Sequence, residues 1–229
     1  TPAGGLQLNS TLAYRHISSS KALFAQATFA ATDRLNLTGG MRYTWDSRTL
    51  DQSAPAAQQR FLSRDFRKFN WSATLDYQLN DDLLAFAKVS TGYKSGGFNA
   101  RSTDSGFMPE TVTAYELGFK SYLLDRRLRI NGSIFYNRQN DLQVQQFRAG
   151  SGGAQSITTN AGKADFKGVE LEISAVPVDG LMLYANGSYI DRDYKKFIVR
   201  DPVSNELVDI ADRAKFNYTS STTAAAGAE

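Results

Sequence analysis

The sequence predicts an all-β fold, a transmembrane antiparallel up-and-down β-barrel present as about eight strands of a larger barrel. Three observations predict it. Apolar and polar residues alternate with a period of two over five separate segments. Short turns in which Asp precedes Leu punctuate the chain, and long polar, Gly-containing connections alternate with them.

The alternation begins with Leu35, Leu37, Gly39, Met41, Tyr43 and Trp45 in one phase and Asn36, Thr38, Gly40, Arg42, Thr44 and Asp46 in the other. Successive strand side chains point to opposite faces, so one face is apolar and the other wet. Trp71, Ala73, Leu75, Tyr77 and Leu79 repeat the pattern against Ser72, Thr74, Asp76, Gln78 and Asn80. It returns in Leu128, Ile130, Gly132, Ile134 and Tyr136, and in Val169, Leu171, Ile173 and Ala175 against Glu170, Glu172 and Ser174. Leu181, Leu183, Ala185, Gly187 and Tyr189 complete the series. A helix needs apolar residues every three or four positions, and these segments lack that spacing.

Turns are predicted at Asp33-Arg34-Leu35, Asp81-Asp82-Leu83, Asp125-Arg126-Arg127-Leu128 and Asp179-Gly180-Leu181, with long loops over 47–68, 94–109, 140–164 and 195–215. Outer-membrane barrels combine short periplasmic turns with long extracellular loops. A soluble β-sandwich shares the alternation but has no reason to gather its long loops at one end. Strands of roughly 10–12 residues also suit a tilted crossing of the bilayer better than the usual soluble strand. Tyr43, Trp45, Trp71, Tyr93 and Tyr136 lie near the strand ends that adjoin long loops, where an aromatic girdle is expected.

Composition is compatible with this and excludes other classes. The 229 residues carry 41% hydrophobic content and a mean hydropathy of −0.38, and no apolar run is long enough for a membrane helix. A barrel is invisible to that test, because its strands alternate. The chain has no cysteine, so disulfide frameworks and thiolate metal sites are excluded. A net charge of +3 without a basic block gives nucleic-acid binding no support. The start, Thr1-Pro2-Ala3-Gly4-Gly5, has neither an initiator Met nor a signal-peptide pattern, and the expectation is a chain that begins inside a longer protein.

Particular segments narrow the class. Val89-Ser90-Thr91-Gly92-Tyr93-Lys94-Ser95-Gly96-Gly97-Phe98-Asn99 resembles the S-x-G-Y-K-S-G-G-F-N segment of TonB-dependent receptors. Pro109 to Lys120 is similar to the family's P-E-x-x-x-x-Y-E-x-G-x-K. Asn131 to Tyr136, Asp141 to Val144, Asn160 to Ala164 and Lys167 to Glu172 follow in the family's order. The resemblance implies an outer-membrane receptor that takes up a scarce nutrient, most often a ferric siderophore, through a barrel of about 22 strands with a plugged lumen. It also implies energy from the TonB complex acting on an N-terminal plug, which together with the final strands is expected outside residues 1–229. The tail Ser220 to Glu229 departs from the family pattern and is read as atypical. A passive porin-like barrel and a soluble all-β binding module are the alternatives.

No catalytic constellation, cofactor or metal site is expected. His16 is alone in a weakly patterned stretch, and Glu116, Glu170 and Glu172 occupy the wet phase of strands. Asp191-Arg192-Asp193 offers too few oxygens for a hard cation. Gly92 to Gly97 precedes no helix pattern, so it lacks the context of a phosphate cradle. The expected ligand contacts are rim and loop residues Tyr93, Lys94, Phe98, Asn99, Arg101 and Arg148. Basic and aromatic side chains suit an anionic, often aromatic, metal chelate through charge-assisted hydrogen bonds and stacking. The expected partners are that small ligand, the TonB complex through the plug, and outer-membrane lipid.

Overall fold

Each alternating segment becomes a pleated strand whose free backbone groups are met by the strand that follows. The computed structural model describes residues 12–229 apart from 55–58, 101, 103–105, 151–152, 202–203, 205 and 217–219. The side chains of 147–150 and 153–155 also lie outside the description. Eight long strands run in chain order: β1 (Ala13–Ala30), β2 (Leu35–Ala54), β3 (Arg60–Asn80), β4 (Leu83–Lys94), β5 (Glu110–Leu123), β6 (Leu128–Gly150), β7 (Gly153–Val178) and β8 (Leu181–Arg200). Each pairs antiparallel with its successor. Two shorter strands, β9 (Leu207–Asp209) and β10 (Thr222–Ala228), both pair with β8. The Ala-rich tail thus resumes the sheet, with Thr222 opposite Tyr189 and Ala226 opposite Ala185.

The short turns use local polar chemistry. At the first, the Thr32 hydroxyl, not Asp33, accepts from the amides of Arg34 and Leu35 at 3.2 and 3.0 Å. At the second, Asn80 accepts from the Asp82 amide at 3.0 Å, the side-chain imitation of a turn that Asn makes readily. The last turn relies on Gly180 at φ 85°. The charged turn residues link neighbouring hairpins: Arg126 reaches Asp82 at 3.3 Å and Arg127 reaches Asp179 at 2.9 Å.

Two predicted loops are strands. Residues 47–54 and 60–68 continue β2 and β3 as one hairpin, with Ser47 opposite Asp65 and Thr49 opposite Ser63. Likewise β6 and β7 extend to Gly150 and from Gly153. Both faces of these extensions carry polar residues, so a search for apolar alternation passes over them, while the backbone ladder holds all the same. Of the other two predicted loops, 195–215 holds the end of β8 and the short β9, with irregular residues between and after them. The described part of 95–109 is irregular, fastened at its base by reciprocal hydrogen bonds between Gly97 and Phe107 at 3.0 and 2.8 Å.

Direct cross-strand partners share a face, which sorts the side chains into rows. On one face the rows read Phe29–Leu37–Leu75, Ala25–Met41–Trp71 and Leu23–Tyr43–Phe69 across β1–β3. Across β6–β8 they read Ile130–Ile173–Ala185, Gly132–Leu171–Gly187 and Ile134–Val169–Tyr189. This face is apolar yet uncovered: Phe29 is 67% and Leu117 55% exposed. The opposite face carries Arg42, Glu116, Lys120, Asn131, Glu170 and Glu172. The buried apolar cluster of Leu50, Phe98 and Ala100, joined by Leu62, lies beyond the apolar rows, where the β2–β3 extension meets the 95–109 connection.

Aromatic residues in the wet phase have a steric explanation. Phe86, Phe135 and Tyr184 stand directly opposite Gly118, Gly168 and Gly227 on the next strand. A Cβ at those glycines would come within 2.3–2.5 Å of the facing aromatic ring or, for Tyr184, its hydroxyl oxygen. The aromatic side chains therefore lie along the wall over the glycines instead of standing into the open space, the cross-strand arrangement by which an aromatic ring covers a strand glycine.

Where β9 pairs with β8, Asp209 accepts from the amides of Phe197 and Ala211 at 2.9 and 3.0 Å, and these bonds hold its carboxyl below the ordinary aspartate range. A depressed folded-state pKa means that this stabilisation is present above the unfolded value and lost as pH falls through the folded one. Hydrogen exchange at the Phe197 amide, corrected for intrinsic rate, should therefore accelerate below about pH 4, and Asp209→Asn should remove that pH dependence. An unchanged acid profile in the variant would refute the assignment.

Candidate functional site

The polar face holds two broad depressions. The one beside the long connections, about 610 Å³, is lined by residues that include Gln26, Arg42, Asp46, Arg48, Asn70 and Tyr93. Register builds it: Arg42, Asp46 and Arg48 are alternate residues of β2 and share one face. Asp46 is 5% exposed and pairs with Arg48 at 3.5 Å, while the Tyr93 hydroxyl donates to its other oxygen. Arg48 also donates to the Ser95 hydroxyl at 3.0 Å. Arg42 donates to Thr44 at 3.2 Å, lies 6.0 Å over the Phe24 ring and has no carboxylate partner among the described residues. One cation is thus neutralised by Asp46 and another faces the open depression.

The second depression, about 490 Å³, lies among Glu116, Lys120, Asn131, Glu170, Glu172 and Asn186. Arg129 and Asn131 donate to Glu172 at 2.8 and 3.1 Å. Carboxylates are prominent there, so it suits an anion poorly. Further along the polar face, Tyr194 stacks on Phe216 at 3.8 Å with rings nearly parallel, Phe166 meets the same ring edge-on at 5.2 Å, and Arg192 lies 6.0 Å over it.

The predicted contact residues divide. Tyr93 belongs to the first depression and not to an aromatic girdle. The β3–β4 ladder ends at Ser72 and Ser90, the Thr91 hydroxyl takes over the Trp71 amide at 2.9 Å, and beyond this parting Tyr93 reaches the polar wall. Lys94 is exposed at the end of β4, opposite Glu110. Phe98 is buried against Leu50 and Ala100, with the Arg64 guanidinium 5.8 Å over its ring. Asn99 is buried as well: its amide donates to the Thr158 carbonyl at 2.8 Å and accepts from the Thr158 amide at 2.9 Å, clasping β7 as a strand would. Phe98 and Asn99 thereby shape the connection. Arg101 and the Arg148 side chain lie outside the described residues.

Arg42, Asp46, Arg48 and Asn70 were not singled out from sequence, nor was the cluster around Phe216. In sequence they are ordinary wet-phase residues, and Arg48 lies 47 positions from Ser95, its partner. A charge on the wet phase near a long connection is the signal that would have found Arg42 and Arg48.

The model of TonB dependent receptor-like β-barrels matches residues 1–227. The chain belongs to that family. Its members are outer-membrane transport receptors of Gram-negative bacteria, so the apolar rows are the lipid-facing surface and the polar face is the lumen wall. From Leu35 to Trp45 the outer face of β2 runs about 33 Å along the strand, which a ~40° tilt reduces to the ~25 Å of such a barrel's apolar band. The pesticin receptor of Yersinia pestis is 30% identical over 183 residues, covering 76% of this chain and 26% of the relative. The ferric-pyoverdine receptor PbuA of a Pseudomonas strain is 26% identical over 170 residues, 72% of this chain and 20% of its own. The chain thus spans about a quarter of the length of the curated relatives it matches. Among solved structures, the siderophore receptor PiuA from Acinetobacter baumannii superposes with a TM-score of 0.74 at 16% identity, over 92% of this chain and 31% of its own. The ferric yersiniabactin uptake receptor FyuA from Yersinia pestis gives 0.64 at 22% identity, over 82% and 32%. These likenesses establish the shared barrel fold.

Proposed function

We propose that this barrel wall serves TonB-coupled import of a scarce nutrient delivered as an anionic metal chelate, a ferric siderophore first among them. The observation that carries the reading is the lumenal depression at the end of the long connections, where Arg42 presents a guanidinium with no carboxylate partner among the described residues, beside the Asp46-paired Arg48 and the Tyr93 ring. Guanidinium groups bind carboxylate and catecholate oxygens through charge-assisted hydrogen bonds, and the phenol adds a stacking surface. The aromatic cluster of Phe166, Tyr194 and Phe216, with Arg192 beside it, extends the same chemistry along the wall. Relatives named for pyoverdine and yersiniabactin support this ligand class. This wall contributes binding and transport as one part of a larger barrel.

Binding of ferric yersiniabactin and ferric pyoverdine to cells bearing the full-length receptor tests this. Arg42→Gln with Arg48→Gln should weaken binding of the accepted chelate by roughly tenfold or more, the loss of hydrogen bonds to charged groups. Uptake, but not surface binding, should vanish without TonB. Equal binding by the variant would remove the depression from the site. Uptake that persists without TonB would favour a passive porin-like barrel.

A further inference from the structure

We propose that the outer face of β1–β3 binds the phosphate-bearing headgroup of an outer-leaflet lipid at the row Lys21–Trp45–Arg67. Cross-strand register places these three residues side by side, one row beyond Leu23–Tyr43–Phe69, the last wholly apolar row. That step is about 6.6 Å along the strand, so the row stands where acyl chains give way to headgroups. A lysine and an arginine at this level lay their alkyl stems on the apolar surface and hold their charges at the phosphate plane, and an exposed Trp suits the same boundary.

Among the described residues these two charges have no carboxylate partner, although Asp65 lies only one row further out. They border a depression of about 230 Å³ whose lining includes Ser19, Trp45, Ser47, Asp65 and the Arg48-paired Asp46, so hydroxyl donors accompany the cations. Lys21 and Arg67 stand on alternate strands, about 9.5 Å apart at the backbone, and long side chains reach one phosphate from both sides.

Beyond the last apolar row of β6–β8 the arrangement is different. There the rows Tyr136–Lys167–Asp191 and Arg138–Asp165–Asp193 mix signs. Arg138 is bound to Asp165 at 3.1 Å and Lys195 to Asp193, which leaves little field for an external anion. The headgroup-level charge is therefore concentrated on β1–β3.

The full-length receptor, purified in detergent and mixed with equal amounts of phosphatidylglycerol and phosphatidylcholine, provides the test, with bound lipid counted by native mass spectrometry. Phosphatidylglycerol should be retained preferentially. K21Q with R67Q should lower its retention about tenfold or more without changing phosphatidylcholine, given the ~1 kcal/mol that each cation near an anionic surface contributes. K21R with R67K should restore retention, and R138Q, whose charge is internally matched, should leave it unchanged. Equal retention of the two lipids, or an unaffected K21Q/R67Q variant, overturns the proposal. Full displacement by millimolar inorganic phosphate also overturns it, since the site would then take free anions and not a lipid.

Discussion

Leu171→Arg should destabilise the folded receptor in lipid vesicles by about 2–4 kcal/mol, while Glu170→Arg on the adjacent position should cost less than about 1 kcal/mol. The two residues are neighbours on β7 and differ only in the face they present. Leu171 lies in the middle of the apolar rows, between Gly132 and Gly187, and is 47% exposed where no part of the described chain covers it. A guanidinium there enters hydrocarbon, and the flanking glycines offer no side chain to pair with it. Glu170, opposite Ser133 and Ser188, faces the wet lumen, where charge is solvated. Urea titration of the full-length receptor folded into vesicles measures both. Equal penalties for the two variants would mean that the faces are wrongly assigned.

Gly168→Val should destabilise the lumenal wall by about 1–3 kcal/mol through overpacking. A Cβ at Gly168 would stand 2.5 Å from the Phe135 ring and 2.5 Å from the Tyr189 carbonyl oxygen. The ring can move aside, but the carbonyl belongs to the β8 backbone and cannot move without disturbing the ladder. Phe135→Leu combined with Gly168→Val should therefore recover part of the loss and leave the rest, as read by urea midpoints. Full recovery would make the ring the sole obstacle, and no loss in Gly168→Val would disprove the close approach.

Much of this barrel wall was legible in one dimension because its constraints are local. A strand that separates lipid from water must alternate, so Leu35 to Trp45 and Val169 to Ala175 declared their two faces without any partner in view. The turns at Asp81, Asp125 and Asp179 carry polar residues or Gly for reasons confined to a few positions, which fixed the hairpin order. The motif from Val89 to Asn99 pointed to the family, but the burial of Phe98 and Asn99 is not visible in a glycine-rich stretch of sequence.

What the tertiary structure alone decided depends on pairs distant in the chain. Phe98 became core because the β2–β3 extension brings Leu50 and Leu62 to it. Asn99 became a clasp because β7 passes within hydrogen-bonding reach, 59 residues away. Asp46 receives the Tyr93 hydroxyl, 47 positions away, only through the parting of β3 from β4. Lys21 and Arg67 stand beside Trp45 only through register. Alternation is a property of each strand by itself, whereas a one-residue change of register would turn every such meeting to the other face. The sequence by itself therefore determined which face of each strand meets lipid, and the paired sheet determined which residues share a site.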